Sequence, residues 1–228
     1  MSSFQLAQAS SPLSAITSTA LIEIVHLRQL GAKSVGRKSL IHRFEHNEWC
    51  EITDPTLEAG CRRTVTVNGR EILAEVEDIT NPEWDGFYGP LTHACKTGDG
   101  FLVIYSVTSK ESFDAIPRYL DLIKKHNPHP DAVPIVLVAN KCDSYLLSAR
   151  QVTPEEGERF AQTMNLAGYI ETSAKGGHNV EGTYSQLALL ALKHKQRATY
   201  GDAGSLEERE VESNPALSAF CSSKCLTQ

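Results

Sequence analysis

A short polar segment, Asn140-Lys141-Cys142-Asp143, carries side chains that can recognise a purine base. It follows the apolar run 135–139, which predicts a buried parallel strand, and ligands of open α/β sheets bind where such strands end. A carboxylate at that place, Asp143, can accept hydrogen bonds from both the N1–H and the exocyclic amine of guanine. Adenine does not present this pair of donors, so the segment predicts a guanine site in which the Lys141 stem covers the base plane.

A glycine-bounded loop upstream has the form of a phosphate-binding loop. Residues 21–30 predict a first strand, and the apolar spacing of Leu40, Ile41 and Phe44 predicts a helix after the loop. In such an arrangement glycines let backbone N–H groups and the helix N-terminus approach phosphates. The loop residues are Gly31, Ala32, Lys33, Ser34, Val35, Gly36, Arg37, Lys38 and Ser39.

These segments resemble those of the Ras-type small GTPases. The tetrad at 140–143 resembles the family's Asn-Lys-x-Asp motif, and Asp54-Pro55-Thr56-Leu57-Glu58 resembles its first switch, Asp-Pro-Thr-Ile-Glu. Thr172-Ser173-Ala174-Lys175 resembles the Ser-Ala-Lys loop, in which the backbone N–H of the alanine bonds the guanine O6. Trp49 falls where the family places an aromatic residue beside the guanine. The matching segments follow one another in the family's order.

The resemblance implies that the chain binds GTP or GDP together with Mg²⁺. Thr56 would sense the γ-phosphate and hold the metal, Asp78 would hold it through water, and Ser39 is a further candidate metal ligand. Effector and exchange-factor proteins would bind around the first switch, at residues 54–58. The implied base-reading residues are Asn140, Lys141, Asp143 and Ala174, and Ser173 and Lys175 are further implied nucleotide-binding residues.

The phosphate loop departs from the family pattern G-x-x-x-x-G-K-[ST]. Aligned without a gap, it places Arg37 at the lysine and Lys38 at the hydroxyl residue, whereas one inserted residue would align Lys38 and Ser39 with them. We favour the ungapped alignment, because the spacing to the later motifs then needs no compensating deletion. In that alignment a positive charge replaces a magnesium ligand, so nucleotide affinity should fall unless Lys38 partly substitutes for the cation. Lys33 and Ser34 stand where the family has glycine and would crowd the catalytic water.

The second switch departs further from the family. The segment 78–83 reads Asp-Ile-Thr-Asn-Pro-Glu where the family has Asp-Thr-Ala-Gly-Gln-Glu. Asn81 replaces the glycine whose N–H reaches the γ-phosphate, and Pro82 replaces the glutamine that orients the attacking water. Proline offers neither a side-chain amide nor a backbone N–H, so we expect very slow GTP hydrolysis. We also expect Gly86 and Gly89-Pro90 to break the helix of this switch.

The resemblance implies an α/β fold, a three-layer P-loop G domain whose mainly parallel six-stranded sheet has one antiparallel edge strand. Local patterns add to this expectation. Asn68-Gly69 between two β-rich runs predicts a two-residue hairpin, and Thr153-Pro154-Glu155-Glu156 predicts a helix start. Further helices are predicted over 112–126 and 180–197. Gln29 is an unusual polar residue in a strand that should be buried on both faces.

Composition divides the chain into three segments. We predict a disordered extension over 1–20, the G domain over 21–198, and a flexible acidic tail over 199–228 that ends in a prenylation motif. The formal net charge of −6 gives no indication of a nucleic-acid partner. Scattered cysteines without metal-ligand spacing favour reduced thiols in the cytosol, and no stretch approaches the ~18 apolar residues of a membrane-spanning helix.

The terminal tetrapeptide predicts a lipid anchor. Cys225-Leu226-Thr227-Gln228 has the Cys-a-a-X pattern, and a terminal glutamine is typical of farnesylation. Because one prenyl chain binds a membrane only weakly, a second signal is needed, and palmitoylation of Cys221 could supply it. An acidic tail cannot act as a polybasic signal. We therefore expect the protein at the cytoplasmic face of a membrane, with the plasma membrane as the expected site.

Three functional hypotheses remain open at this point. The leading one is a prenylated guanine-nucleotide-binding signalling protein whose GTP hydrolysis is much weakened. The second is a pseudo-GTPase, an interaction module with poor or magnesium-independent nucleotide binding. The third is an ordinary hydrolytic switch rescued by a partner's arginine, which must explain Pro82.

Overall fold

A computed structural model describes residues 22–51, 60–79, 89–143 and 149–200. These residues form a six-stranded sheet with helices on both faces, as the resemblance implied. In chain order the elements are β1 (Glu23–Gly31), α1 (Arg37–His46), β2 (Gly60–Val67), β3 (Arg70–Asp78), α2 (Gly89–Thr97), β4 (Gly100–Ser106), α3 (Lys110–Asp114), α4 (Ile116–His126), β5 (Ile135–Asn140), α5 (Pro154–Thr163), β6 (Gly168–Glu171) and α6 (Val180–Tyr200).

The strands are ordered β2-β3-β1-β4-β5-β6 in the sheet. All neighbours are parallel except β2 and β3, which form the predicted antiparallel hairpin at one edge. Its turn residues Asn68 and Gly69 both have positive φ, as a two-residue turn that matches the twist of the strands requires. Because the other strands are parallel, β1, β4 and β5 all end on the same side of the sheet. Ligands bind beyond these carboxyl ends in folds of this kind.

Alternate residues of the central strands bury their side chains in two separate cores. On one face, α1 and α6 cover Leu27, Ile104 and Val138, and the rings of Phe44 and Tyr184 stack there at 4.3 Å. On the other face, helices α2 to α5 cover the intervening strand residues, among them Val103, Leu137 and Ala139. Burial on both faces is the reason that β4 and β5 read as continuous apolar runs. No helix in the described part of the chain is long and apolar enough to cross a membrane.

Several helix starts follow from local chemistry. The side chain of Thr153 caps α5 by accepting a hydrogen bond from the backbone N–H of Glu156, as the sequence predicted. Ser109 caps α3 in the same way, so the helical segment predicted from residue 112 begins earlier and is divided at Ala115. Helix α2 begins at Gly89, so Gly89 and Pro90 lie in a first turn, whereas Gly86, the other residue expected to break the second-switch helix, lies outside the described residues. Proline is tolerated in a first turn, where its missing N–H would have no helical partner.

Candidate nucleotide-binding site

Asn140 is the last residue of β5, and its side chain joins three loops at the carboxyl end of the parallel strands. Its side chain is buried, and its amide donates to the carbonyl oxygen of Val35 at 2.8 Å. Its amide oxygen accepts from the Thr172 hydroxyl at 3.2 Å and from the backbone N–H of Ala174 at 3.3 Å. One side chain therefore holds the glycine-bounded loop and the two predicted base-reading segments together.

Lys141 lies against the same loop. Its ammonium group donates to the carbonyl oxygen of Ser34 at 2.6 Å, so the lysine stem bridges the end of β5 and the loop. Burial lowers the Lys141 pKa, although the nearby Asp143 carboxylate opposes this change. The residue has a φ of 67°, a left-handed conformation at the point where the chain leaves the strand. The stem is thus positioned to form one wall of a base pocket.

Asp143 presents an unsatisfied acceptor. Its Oδ1 atom is buried and has no hydrogen-bond partner among the residues that the structure describes. Because a buried polar atom without a partner is energetically costly, such an atom beside the ends of three loops points to a ligand that supplies the donor. The N1–H and amine of a guanine are donors of the required kind.

The segment after β6, residues 172–175, lies beside Asn140. Ser173 accepts from the backbone N–H of Gly176 at 2.7 Å and fixes the turn, while Ala174 is buried and Lys175 is exposed. Arg43 of α1 donates to the carbonyl oxygens of Ala174 at 2.8 Å and Lys175 at 2.6 Å. Arg43 was not among the predicted site residues, since nothing in its local sequence relates it to a segment 131 positions away.

The glycine-bounded loop is shaped by two close backbone approaches. A Cβ atom on Gly31 would lie 2.2 Å from the carbonyl oxygen of Ile104, its partner on β4. Gly36 has a φ of 95°, and a Cβ atom there would lie 2.5 Å from the Asn140 amide nitrogen. Gly36 also precedes α1 without any side-chain cap, so the first N–H groups of the helix are left for a ligand or solvent. The exposed residues Lys33 and Ser34 lie at the outer turn of the loop.

Arg37, the first residue of α1, extends beneath this loop. Its Nε atom donates to Asp78 Oδ1 at 2.6 Å, and its Nη1 atom donates to the carbonyl oxygens of Gly31 and Ala32. The side chains of Arg37 and Asp78 are 9% and 1% exposed, so the ion pair is buried. The amide of Gln29 also donates to Asp78 Oδ1, at 3.3 Å. The unusual polar residue of β1 is thereby explained as part of this cluster.

Comparison with known proteins gives the same assignment as the geometry. A family model described as the Ras family matches residues 27–193. The Ras-like protein rasS of Dictyostelium discoideum is 36% identical over 167 residues, which are 73% of this chain and 83% of rasS. This chain belongs to the Ras family. The Ras-like protein rasU of the same organism is 33% identical over 166 residues, or 73% of this chain and 75% of rasU.

The predicted Ras-family site residues divide into two groups. The structure brings together the loop 31–37 and the segments 140–143 and 172–175. Ser39 is the third residue of α1, and Trp49 lies beyond the helix with 39% of its surface exposed. The first switch at 54–58 with Thr56, the second-switch residues Asn81 and Pro82, and the lipidation candidates Cys221 and Cys225 lie outside the described residues.

The arrangement around Asp78 disfavours a magnesium ion, which prefers oxygen ligands in octahedral geometry. Of the other implied ligands, Ser39 lies in α1 and Thr56 lies outside the described residues. The Asp78 carboxylate already receives the Arg37 guanidinium on Oδ1. Arg37 is the first residue of α1 and directly follows Gly36.

Proposed function

We propose that this Ras-family chain is a signalling protein that binds GTP and GDP and hydrolyses GTP very slowly. The observation that carries the proposal is the buried Asp143 Oδ1 atom, which lacks a partner among the described residues and lies three residues after Asn140, where the loops meet. The Ala174 N–H makes only a long hydrogen bond at 3.3 Å, so it is a ready donor for the guanine O6. Asp143 and Ala174 would together read the N1–H, the exocyclic amine and the O6 atom, which distinguish guanine from adenine.

Slow hydrolysis is proposed from the residues that would position the attacking water. In phosphoryl transfer the protein contributes almost only positioning and electrostatic stabilisation. Pro82 stands at the water-orienting glutamine and Asn81 at the γ-phosphate-sensing glycine, and neither supplies the group it replaces. Lys33 and Ser34 add exposed side chains at the loop, where an incoming catalytic group would need room.

Nucleotide titration followed by single-turnover phosphate release tests this proposal. The full chain would be titrated with fluorescent GDP and GTP analogues, with an ATP analogue as the control for base specificity. We expect selective binding of the guanine nucleotides and negligible phosphate release over hours. Equal affinity for the ATP analogue, or complete phosphate release over the same hours, would contradict the proposal.

Restoring the second switch separates lost catalysis from lost binding. The Asn81→Gly/Pro82→Gln double variant regains a backbone N–H and a side-chain amide at the γ-phosphate. We expect its single-turnover rate to rise at least tenfold, about 1.4 kcal/mol of transition-state stabilisation. An unchanged rate with intact binding would place the defect in the phosphate loop instead.

A pseudo-GTPase is the second candidate, and the buried Arg37–Asp78 pair favours it. If this pair and Lys38 leave no room for a nucleotide, the domain would act as an interaction module presenting its surface to effector and exchange-factor partners near Asp54, Pro55, Thr56, Leu57 and Glu58. Its signature would be the absence of nucleotide binding in the titration above, together with a partner that binds the ligand-free protein.

Membrane attachment is the remaining part of the proposal. Cys225 in the Cys-a-a-X pattern would carry a prenyl group and Cys221 a palmitoyl group, which together hold the protein at the cytoplasmic face of the plasma membrane. Labelling cells with an alkynyl farnesyl probe tests the first modification, with Cys225→Ser as the negative control. Equal labelling of this variant, or an unchanged membrane fraction for it, would contradict the anchor.

A further inference from the structure

We propose that the Arg37 guanidinium, held in place by Asp78, takes over the role of the divalent cation, so that nucleotide affinity is independent of magnesium. The inference rests on the proposed function, because it specifies how the same site holds its ligand. It concerns two side chains that lie 41 positions apart and meet beneath the phosphate loop.

The Arg37 guanidinium is held in one place by the fold. Its Nε atom binds Asp78 Oδ1 at 2.6 Å, and its Nη1 atom binds the carbonyl oxygens of Gly31 and Ala32. An arginine side chain remains charged at every physiological pH. The site therefore contains a permanent cation, bonded to both the loop and the end of β3, before any ligand arrives.

The charges around the start of α1 fit a polyphosphate ligand. Arg37 and Lys38 are the first two residues of this ten-residue helix, and its first turn contains no acidic residue. Cations at a helix N-terminus oppose the macrodipole, which favours negative charge there. The arrangement becomes favourable when an anion binds the uncapped N–H groups at the start of the helix. The phosphates of a nucleoside di- or triphosphate supply that charge.

The same cluster disfavours a metal ion. Asp78 Oδ1 is shared by Arg37 and by the Gln29 amide at 3.3 Å, which leaves one carboxylate oxygen, Oδ2, without a hydrogen-bond partner among the described residues. Asp78 Oδ2 is then the one oxygen of this carboxylate that remains for a metal ion or its water shell. A guanidinium bonded to the same carboxylate also repels a second cation, most strongly where both are buried.

The test is a comparison of nucleotide binding with and without divalent ions. Full-length protein would be titrated with a fluorescent GDP analogue in millimolar MgCl₂ and in excess EDTA. We expect the two Kd values to differ by less than about threefold. Protein recovered with its nucleotide by gel filtration should contain no stoichiometric magnesium by plasma mass spectrometry, which is a readout independent of turnover.

A double variant tests whether these residues are responsible. The Arg37→Lys/Lys38→Ser variant replaces the guanidinium with a smaller ammonium group and adds a hydroxyl group that can bind magnesium. We expect its nucleotide affinity to become magnesium-dependent, falling at least tenfold in EDTA. Arg63→Lys is the matched control, since Arg63 bonds the Phe44 carbonyl and Glu181 rather than the phosphate loop. Thermal unfolding of each variant establishes that it is folded.

Each outcome decides the inference. A wild-type affinity that falls more than about threefold in EDTA overturns it, while guanine-nucleotide binding itself leaves the proposed function standing. A magnesium-independent wild type with an equally independent double variant overturns the assignment to Arg37 and Lys38. Absence of nucleotide binding in both buffers overturns the proposed function as well. The wild-type measurement decides the matter even if the double variant fails to fold.

Discussion

Asp143 combines a charge, partial burial and an unsatisfied oxygen. Its Oδ1 atom is buried without a hydrogen-bond partner among the described residues, while the preceding residues Asn140 and Lys141 are both bonded to the phosphate loop. Asn140 and Lys141 thus hold this segment against the phosphate loop, and Asp143 remains available to a ligand. This division of roles is the reason that base selectivity should depend on a single side chain.

Changing Asp143→Asn should exchange the base that the site prefers. The amide keeps the size of the carboxylate but turns one acceptor into a donor, which opposes the donors of guanine and matches the C2 carbonyl of xanthine. Since a hydrogen bond to a charged group contributes about 1.5–3 kcal/mol, GTP affinity should fall at least tenfold. Competition between GTP and XTP for a fluorescent probe measures the change.

Asp121→Asn, an exposed aspartate on α4, is the matched control and should leave both affinities unchanged. A variant at Asp143 that still prefers GTP over XTP would show that another group reads the base.

At the scale of elements, α1 connects the phosphate loop to the base-reading loop. Gly36 and Arg37 at its start belong to the phosphate side, and Arg43 in its last turn donates to the carbonyl oxygens of Asn47, Ala174 and Lys175. A cation near the end of a helix also complements the macrodipole. The two ends of one helix therefore hold the two halves of the nucleotide site at a fixed separation.

Replacing Arg43→Ala should loosen the base-reading loop. Its carbonyl partners would lose a charged donor, and water can replace it only in part, so we expect a loss of roughly 1–2 kcal/mol in unfolding free energy. Dissociation of a fluorescent GDP analogue should also become faster, because the Ala174 N–H is then less well positioned. Denaturant unfolding and stopped-flow displacement measure the two effects.

Arg159→Ala on α5 is the control, because Arg159 is an exposed arginine outside the nucleotide site. A variant at Arg43 that lost stability but kept the wild-type dissociation rate would limit Arg43 to a structural role.

Across the whole molecule, a line of polar side chains runs through the apolar interior from α6 to α1. The Tyr184 hydroxyl donates to Gln29 Oε1 at 2.9 Å, the Gln29 amide donates to Asp78 Oδ1, and Asp78 binds Arg37. Burial raises the Tyr184 pKa well above its usual value, so the hydroxyl stays protonated and remains a donor. Helix α6 is thereby joined to the phosphate side of the site on the same face of the sheet.

Tyr184→Phe should destabilise the fold by about 1–3 kcal/mol, because it leaves the Gln29 oxygen buried without a donor. Gln29→Leu should have a comparable cost, since it strips partners from both Tyr184 and Asp78. The double variant removes both partners of the first bond, so its cost should be smaller than the sum of the single costs. Urea unfolding of the four proteins measures this difference, and additive costs would show that the two groups are not coupled.

Local features of the fold could be predicted from sequence because neighbouring residues produce them. The Asn68-Gly69 turn needs positive φ angles that these residues tolerate, and the Thr153 cap needs only a hydroxyl before a helix. The apolar runs of β4 and β5 predicted burial on both faces. The helix start at Gly89-Pro90 was not predicted, because the same residues that end one helix can also begin another.

The sequence by itself determined the family, the order of its motifs along the chain and the residue types that can contact a guanine base. Only the tertiary structure decided which of these residues meet. Arg37 with Asp78, Arg43 with Ala174 and Tyr184 with Gln29 are separated by 41, 131 and 155 positions, and their contacts depend on the strand order of the sheet. Periodicity and capping act within a few residues, whereas a buried charge finds its partner only when the whole sheet has assembled around it.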